Sequence, residues 1–125
     1  MNTKIVTFGE ILLRLSTPGY QRLTQGHRML GNYGGSEANT AISLAYLGNN
    51  VEYVSRLPYG AMGDAALMHL REYGLNVSHV VRGGERLGTY YFEEAVAMRN
   101  SQVIYDRKNS AMYSLKRGMV EWDKV

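Results

Sequence analysis

Gly31-Asn-Tyr-Gly-Gly-Ser-Glu-Ala-Asn-Thr-Ala-Ile-Ser-Leu-Ala-Tyr-Leu-Gly48 is the stretch from which the fold can be read. A short extended piece, 28–33, runs into the paired glycines Gly34-Gly35, and an amphipathic helix follows at once. Ser36 is a candidate N-cap. Ala38, Ala41, Ile42, Ala45 and Tyr46 or Leu47 form the apolar stripe of a helix running to about Leu47. Gly48 sits where a helix-ending glycine belongs. Glycine has no Cβ, so a ligand can approach the main chain there. The helix start offers unpaired N–H groups and the positive end of the dipole. Asn39 is a poor helix former in the first turn, with no packing reason to be there. Together these residues suggest a polar small-molecule site.

Outward from this stretch the chain alternates strands and helices. Lys4–Gly9 reads as a buried first strand, and Ile11–Ser16 is a second extended piece before the Pro18-Gly19 turn. Val51–Arg56 reads as a strand, Pro58–Asp64 as a loop, and Asp64–Tyr73 as a second helix stopped by Gly74. His79–Arg82 is a third core strand. This β-α-β-α-β order predicts an α/β fold on a parallel sheet. The pattern then changes: Thr89–Met98 and Gln102–Arg107 read as the arms of a hairpin turned at Asn100-Ser101. The pieces 11–16, 28–33, 89–98 and 102–107 are candidates for a small separate sheet projecting from the core. Met119–Val125 reads as the start of a further element. Two βαβ steps leave a parallel sheet poorly covered, so residues 1–125 are expected to be the N-terminal part of a longer fold.

Composition narrows the function. The 125 residues are 45% hydrophobic and 20% charged, ordinary values for a globular domain. No apolar run approaches the roughly 20 residues needed to cross a membrane. Cysteine is absent, which excludes disulfides and thiol chemistry. Met1–Val6 shows no signal peptide, so cytoplasmic residence is expected. The net charge of +3 comes from scattered residues, with no basic run for nucleic acid. His27, His69 and His79 lack metal-ligand spacing and read as surface or interface residues; no metal site is expected. No phosphate-binding Gly-x-x-x-x-Gly-Lys-[Ser/Thr] loop, Gly-x-Gly-x-x-Gly turn or Gly-x-Ser-x-Gly nucleophile is present.

What remains is a polar cradle. Gly34, Gly35, Ser36 and Asn39 can meet sugar hydroxyls. Tyr90 lies on the first hairpin arm. Tyr105 and Arg107 share one face of the second, because alternate residues of a strand point the same way. Arg107 can hold a carboxylate by a two-pronged contact. Cross-strand packing for the tyrosines and a surface charge for Arg107 remain the alternative. Asp64 and Asp106 are isolated carboxylates, read as capping or surface residues.

Gly34-Gly35-Ser-Glu-Ala-Asn39 followed by Ala41…Leu47-Gly48 resembles the first signature of the ribokinase/PfkB carbohydrate kinases. The chain is most similar to the 2-keto-3-deoxygluconate kinase subgroup, through Phe8–Ser16, Arg56–Ala65 and Val103–Ala111. The resemblance implies a ribokinase-like α/β core with a β-sheet lid, and transfer of the ATP γ-phosphate to a sugar-acid hydroxyl. By the same resemblance, Gly34, Gly35, Ser36 and Asn39 would contact the substrate at the core, and Tyr90, Tyr105 and Arg107 from the lid. ATP and Mg2+ are implied for the full-length enzyme, and neither is expected to bind this chain. A homo-oligomer through the lid is implied as well.

Two departures bear on the substrate. Many family members carry Asp five residues after the first-strand glycine; here that position is Arg14, which suits an acidic substrate. Pro58 stands where the family usually has Gly. The family's second signature, Gly-Ala-Gly-Asp, which supplies the anion hole and catalytic base, does not occur here. No catalytic residue is therefore expected in this chain, and by itself it is expected to be inactive. The alternatives are a non-catalytic sugar-acid-binding or dimerisation module, or another PfkB sugar kinase such as a fructokinase.

Overall fold

A computed structural model of the chain describes residues 3–125. Its elements are β1 (Lys4–Phe8), β2 (Leu12–Ser16), β3 (Leu30–Gly34), α1 (Ser36–Tyr46), β4 (Asn50–Val54), β5 (Arg56–Leu57), α2 (Ala61–Glu72), β6 (Val81–Arg82), β7 (Thr89–Glu93) and β8 (Gln102–Asp106). A short 3-10 turn, Trp122–Lys124, ends it where a further element was expected.

The parallel core has the β4–β5 segment at its centre. β4 pairs with β1 in parallel, Ile5 facing Val51 and Phe8 facing Val54. On its other side β5 pairs with β6. The main chain continues that edge, with Tyr53 N–H on the Asn76 carbonyl and Val81 N–H on the Ser55 carbonyl, each at 2.9 Å. Val51 through Val54 are all buried, as a strand covered on both faces must be. Ile11, Ala38, Ala41, Tyr53, Leu57, Ala66 and Leu70 belong to one core cluster. The Tyr53 hydroxyl, wholly enclosed, donates to the Gly9 carbonyl at 2.8 Å. That bond fixes the loop between β1 and β2.

The four segments read as a separate sheet do form one, in the order β3-β2-β7-β8. β2 runs antiparallel to β3 and parallel to β7, and β7 antiparallel to β8. The first hairpin arm is shorter than expected and stops at Glu93 rather than Met98. Glu93 is buried, and its carboxylate accepts the Leu23 N–H at 2.7 Å, so the strand ends on a side-chain anchor. The turn is made at Ala97-Met98, not Asn100-Ser101. Val96 and Arg99 exchange both main-chain hydrogen bonds around Ala97, which takes φ 52°.

Three helix details also differ. Ser36 is the first helical residue of α1 rather than its cap; Gly35 holds the cap position, without a side-chain hydrogen bond. α2 begins at Ala61, three residues before Asp64, because Gly60 at φ 94° turns the chain into the helix. The Asp64 carboxylate instead accepts Arg82 at 2.6 Å. On α1, Ala38 and Ala41 are buried as read, but Tyr46 and Leu47 are 87% and 75% exposed. The helix ends there, with Leu44 and Ala45 of its last turn packed against the core and Tyr46 and Leu47 facing away from it.

Candidate functional site

A cavity of about 600 Å³ lies between the N-terminus of α1 and the second sheet. One wall is Gly9, Glu10 and the start of α1, Gly35 to Glu37 with Asn39. The other is the inward face of β2, β7 and β8. Alternation decides which side chains reach it. Leu12 and Arg14 on β2, Tyr90 and Phe92 on β7, and Val103 and Tyr105 on β8 all line the space. Arg14 faces Tyr90, and Tyr90 faces Tyr105, in one row across three strands. The rings of Tyr90 and Tyr105 stand 5.6 Å apart.

Six of the seven residues singled out from sequence line this cavity: Gly35, Ser36, Asn39, Tyr90, Tyr105 and Arg107. Gly34 does not line it; it lies under the Tyr90 hydroxyl, where any Cβ would collide with that oxygen. Gly35 has φ 151°, and a Cβ there would strike the Glu10 carbonyl oxygen. The double glycine thus brings the α1 start against the β1–β2 loop and lets Tyr90 pack over the chain. The Asn39 N–H is already used on the Gly35 carbonyl at 2.8 Å. The N–H groups of Ser36 and Glu37 stand at the cavity wall, at the positive end of α1.

Arg107 is held rather than loose. Its Nε meets Glu10 Oε1 at 3.0 Å, and its guanidinium lies 5.7 Å from the Tyr105 ring centre. The other oxygen of Glu10 accepts the Ser110 hydroxyl at 2.6 Å. Behind this, Arg86 donates to the carbonyls of Asp106 and Lys108, each at 2.8 Å. The segment after β8 is therefore pinned on both sides, and the Nη atoms of Arg107 remain available toward the cavity. Asp106 is paired with Arg86 at 3.1 Å.

Sequence reasoning passed over Glu10, Glu37 and Met112, which also line the cavity. Glu10 follows the first-strand glycine directly, and Glu37 sits inside the quoted helix start; their positions were the available signal. The histidines lie elsewhere. His69 sits between Tyr33 and Tyr73, and burial holds its imidazole below the ordinary value. His79 is not a plain surface residue: it hydrogen-bonds the buried Glu52. Among the described residues no group of three or more His, Cys, Asp or Glu is placed to hold a metal ion. Among the described residues no helix is long and apolar enough to cross a membrane.

A parallel α/β core with a glycine-capped helix facing a four-stranded projecting sheet is the N-terminal architecture of a carbohydrate kinase. The description pfkB family carbohydrate kinase matches residues 2–125, and the chain belongs to that family. The structure superposes with TM-score 0.94 on 2-dehydro-3-deoxygluconokinase from Thermotoga maritima, at 45% identity, covering 97% of this chain and 37% of that one. A 2-dehydro-3-deoxygalactonokinase of Haloferax volcanii is 35% identical over 90% of this chain and 35% of its own length. A 2-dehydro-3-deoxygluconokinase of Bacillus subtilis is 31% identical over 92% and 36%. The chain spans about a third of the length of these relatives. The fold is the ribokinase-like α/β core, in part, with its projecting sheet.

Proposed function

We propose that this chain forms the substrate-holding part of an ATP-dependent kinase for 2-keto-3-deoxygluconate or its galactonate epimer. One observation carries the reading. The two walls identified from sequence close on one cavity, in a chain 45% identical to a 2-dehydro-3-deoxygluconokinase. On this reading the α1 start and Asn39 bind sugar hydroxyls. Tyr90 and Tyr105 cover the sugar from the second sheet, which acts as a lid and keeps water away. Arg107, oriented by Glu10, donates its Nη atoms to the substrate carboxylate. This chain's contribution is thus binding and orientation, which in phosphoryl transfer supply much of the acceleration. On this reading ATP would supply the transferred phosphoryl group, with its site, Mg2+ and the base held by other parts of the complete enzyme. The unpaired outer edges of β3 and β8 would be the lid's contact with a second copy in a homo-oligomer.

The test is ADP release by the complete gene product that carries this chain, with ATP, 2-keto-3-deoxygluconate, 2-keto-3-deoxygalactonate and fructose. Turnover with a keto-deoxy acid is expected, and Arg107→Ala should raise the KM for it. Turnover with fructose alone would reject the acid reading. The other reading is a binding module without catalysis, since the cavity lining by itself can hold a polar ligand. Saturable calorimetric binding of 2-keto-3-deoxygluconate with no turnover would select it.

A further inference from the structure

Four charged side chains line the cavity: Glu10, Arg14, Glu37 and Arg107. Glu10 and Arg107 are paired with each other. Arg14 makes no hydrogen bond or ion pair among the described residues, and its Nε is enclosed without an acceptor. Buried donors normally find partners. Arg56, Arg82 and Arg99 also bury an unpartnered Nε but bond through their Nη atoms, whereas no atom of the Arg14 guanidinium has a partner among the described residues. Its position is set: the guanidinium lies 5.9 Å from the Phe92 ring centre, in a cation–π arrangement.

Arg14 belongs to the row Arg14–Tyr90–Tyr105 across β2, β7 and β8. Two strand spacings place its Cα about 10 Å from that of Tyr105, and its side chain lines the same cavity as Arg107. It also borders a second, smaller cavity of about 310 Å³ that contains Glu94, a carboxylate with which it makes no ion pair. Glu37, the other unpaired charge, lies on α1 across the main cavity, against Gly9. The Arg107–Glu10 pair is neutral as a unit. Arg14 is therefore the uncompensated positive charge on the sheet side.

We propose that Arg14 is a specificity-determining residue of this site, which donates to the substrate's one carboxylate as a second cation beside Arg107 and so selects sugar acids over neutral sugars. The proposal rests on reading the cavity as a sugar-acid site. An anion arriving there supplies the acceptor that Arg14 lacks. A neutral sugar offers only hydroxyls and leaves the guanidinium without a counter-charge, which costs affinity. Phe92 beneath the guanidinium and the neighbouring Tyr90 restrict its motion, so little order is lost on binding.

The experiment compares wild type, Arg14→Gln and Arg14→Lys in the complete gene product. The substrates are 2-keto-3-deoxygluconate and 3-deoxyfructose, its neutral counterpart with a hydroxymethyl group in place of the carboxylate. Arg14→Gln is expected to lower the acid-over-neutral ratio of kcat/KM about 10- to 100-fold, the worth of one charge-assisted hydrogen bond. Arg14→Lys, which keeps the charge, is expected to retain part of the preference. An unchanged ratio would overturn the proposal, as would equal losses on both substrates, which mark a structural role. Wild type that phosphorylates neither compound would overturn the site reading itself, and the role of Arg14 with it.

Discussion

Ser110→Ala and Arg107→Ala should separate stability from binding at two ends of one carboxylate. Ser110 is wholly buried, and its hydroxyl donates to Glu10 at 2.6 Å; Glu10 is 10% exposed. A hydrogen bond to a charged group in such a place contributes about 1.5–3 kcal/mol. The same substitution strips the Tyr113 N–H of its acceptor, the Ser110 Oγ at 3.2 Å, for about another 0.5–1 kcal/mol. Ser110→Ala is thus expected to cost about 2–4 kcal/mol. Arg107 is 52% exposed, so its ion pair with Glu10 contributes only about 0.2–1 kcal/mol. Urea unfolding measures both losses as shifts in midpoint at constant slope. A double-mutant cycle of Ser110→Ala with Glu10→Gln should return a coupling of about 1.5–3 kcal/mol, since the two groups touch. The ranking reverses in binding, where Arg107→Ala should have the larger effect on KM. The reasoning is refuted if Arg107→Ala destabilises as much as Ser110→Ala, or if Ser110→Ala costs less than about 1 kcal/mol.

The paired glycines should respond unequally. Gly35→Ala forces a side chain onto φ 151° and into the Glu10 carbonyl, and is expected to cost at least about 2 kcal/mol in thermal or urea unfolding. Gly34→Ala meets only the far end of Tyr90; its main effect should be a higher KM for the sugar, as Tyr90 is pushed off the chain. Stability should also depend on acid through Glu52. Burial raises its carboxyl pKa, but the hydrogen bonds from His79 and Lys4 prevail and hold it below 4.5. A group whose pKa is lower folded than unfolded contributes stability above the unfolded value, and that contribution is lost as pH falls through the folded one. Unfolding followed from pH 7 down to pH 3 should show the extra loss below about 4.5. Glu52→Gln should remove that component, and an unaltered pH profile in this variant would exclude Glu52 as its source.

Much of this molecule could be read along the chain. Period-two alternation in 12–16, 89–93 and 102–106, and the apolar stripe from Ala38 to Ala45, are local properties. They depend on how successive side chains leave the backbone, so they named the elements and put Tyr105 and Arg107 on one face; which face looks inward came from the fold. Element ends were less legible. Gly60 starts α2 early, and Ala97 turns the hairpin, because the φ of single residues decided them. The 89–98 arm was cut short by Glu93 reaching Leu23, a bond across 70 positions that no local pattern encodes.

By itself the sequence determined which residues face which side of each strand, and that a glycine pair opens the first helix. Tertiary structure alone decided which strands are neighbours. Alternation says nothing of register between segments 76 positions apart, such as Arg14 and Tyr90. Only the parallel pairing of β2 with β7 puts Arg14 in the cavity. Only the approach of residues 100 positions apart, Glu10 and Ser110, fixes the carboxylate that orients Arg107. Those contacts arise from long-range packing, whose energy depends on the whole fold and not on any local stretch of chain.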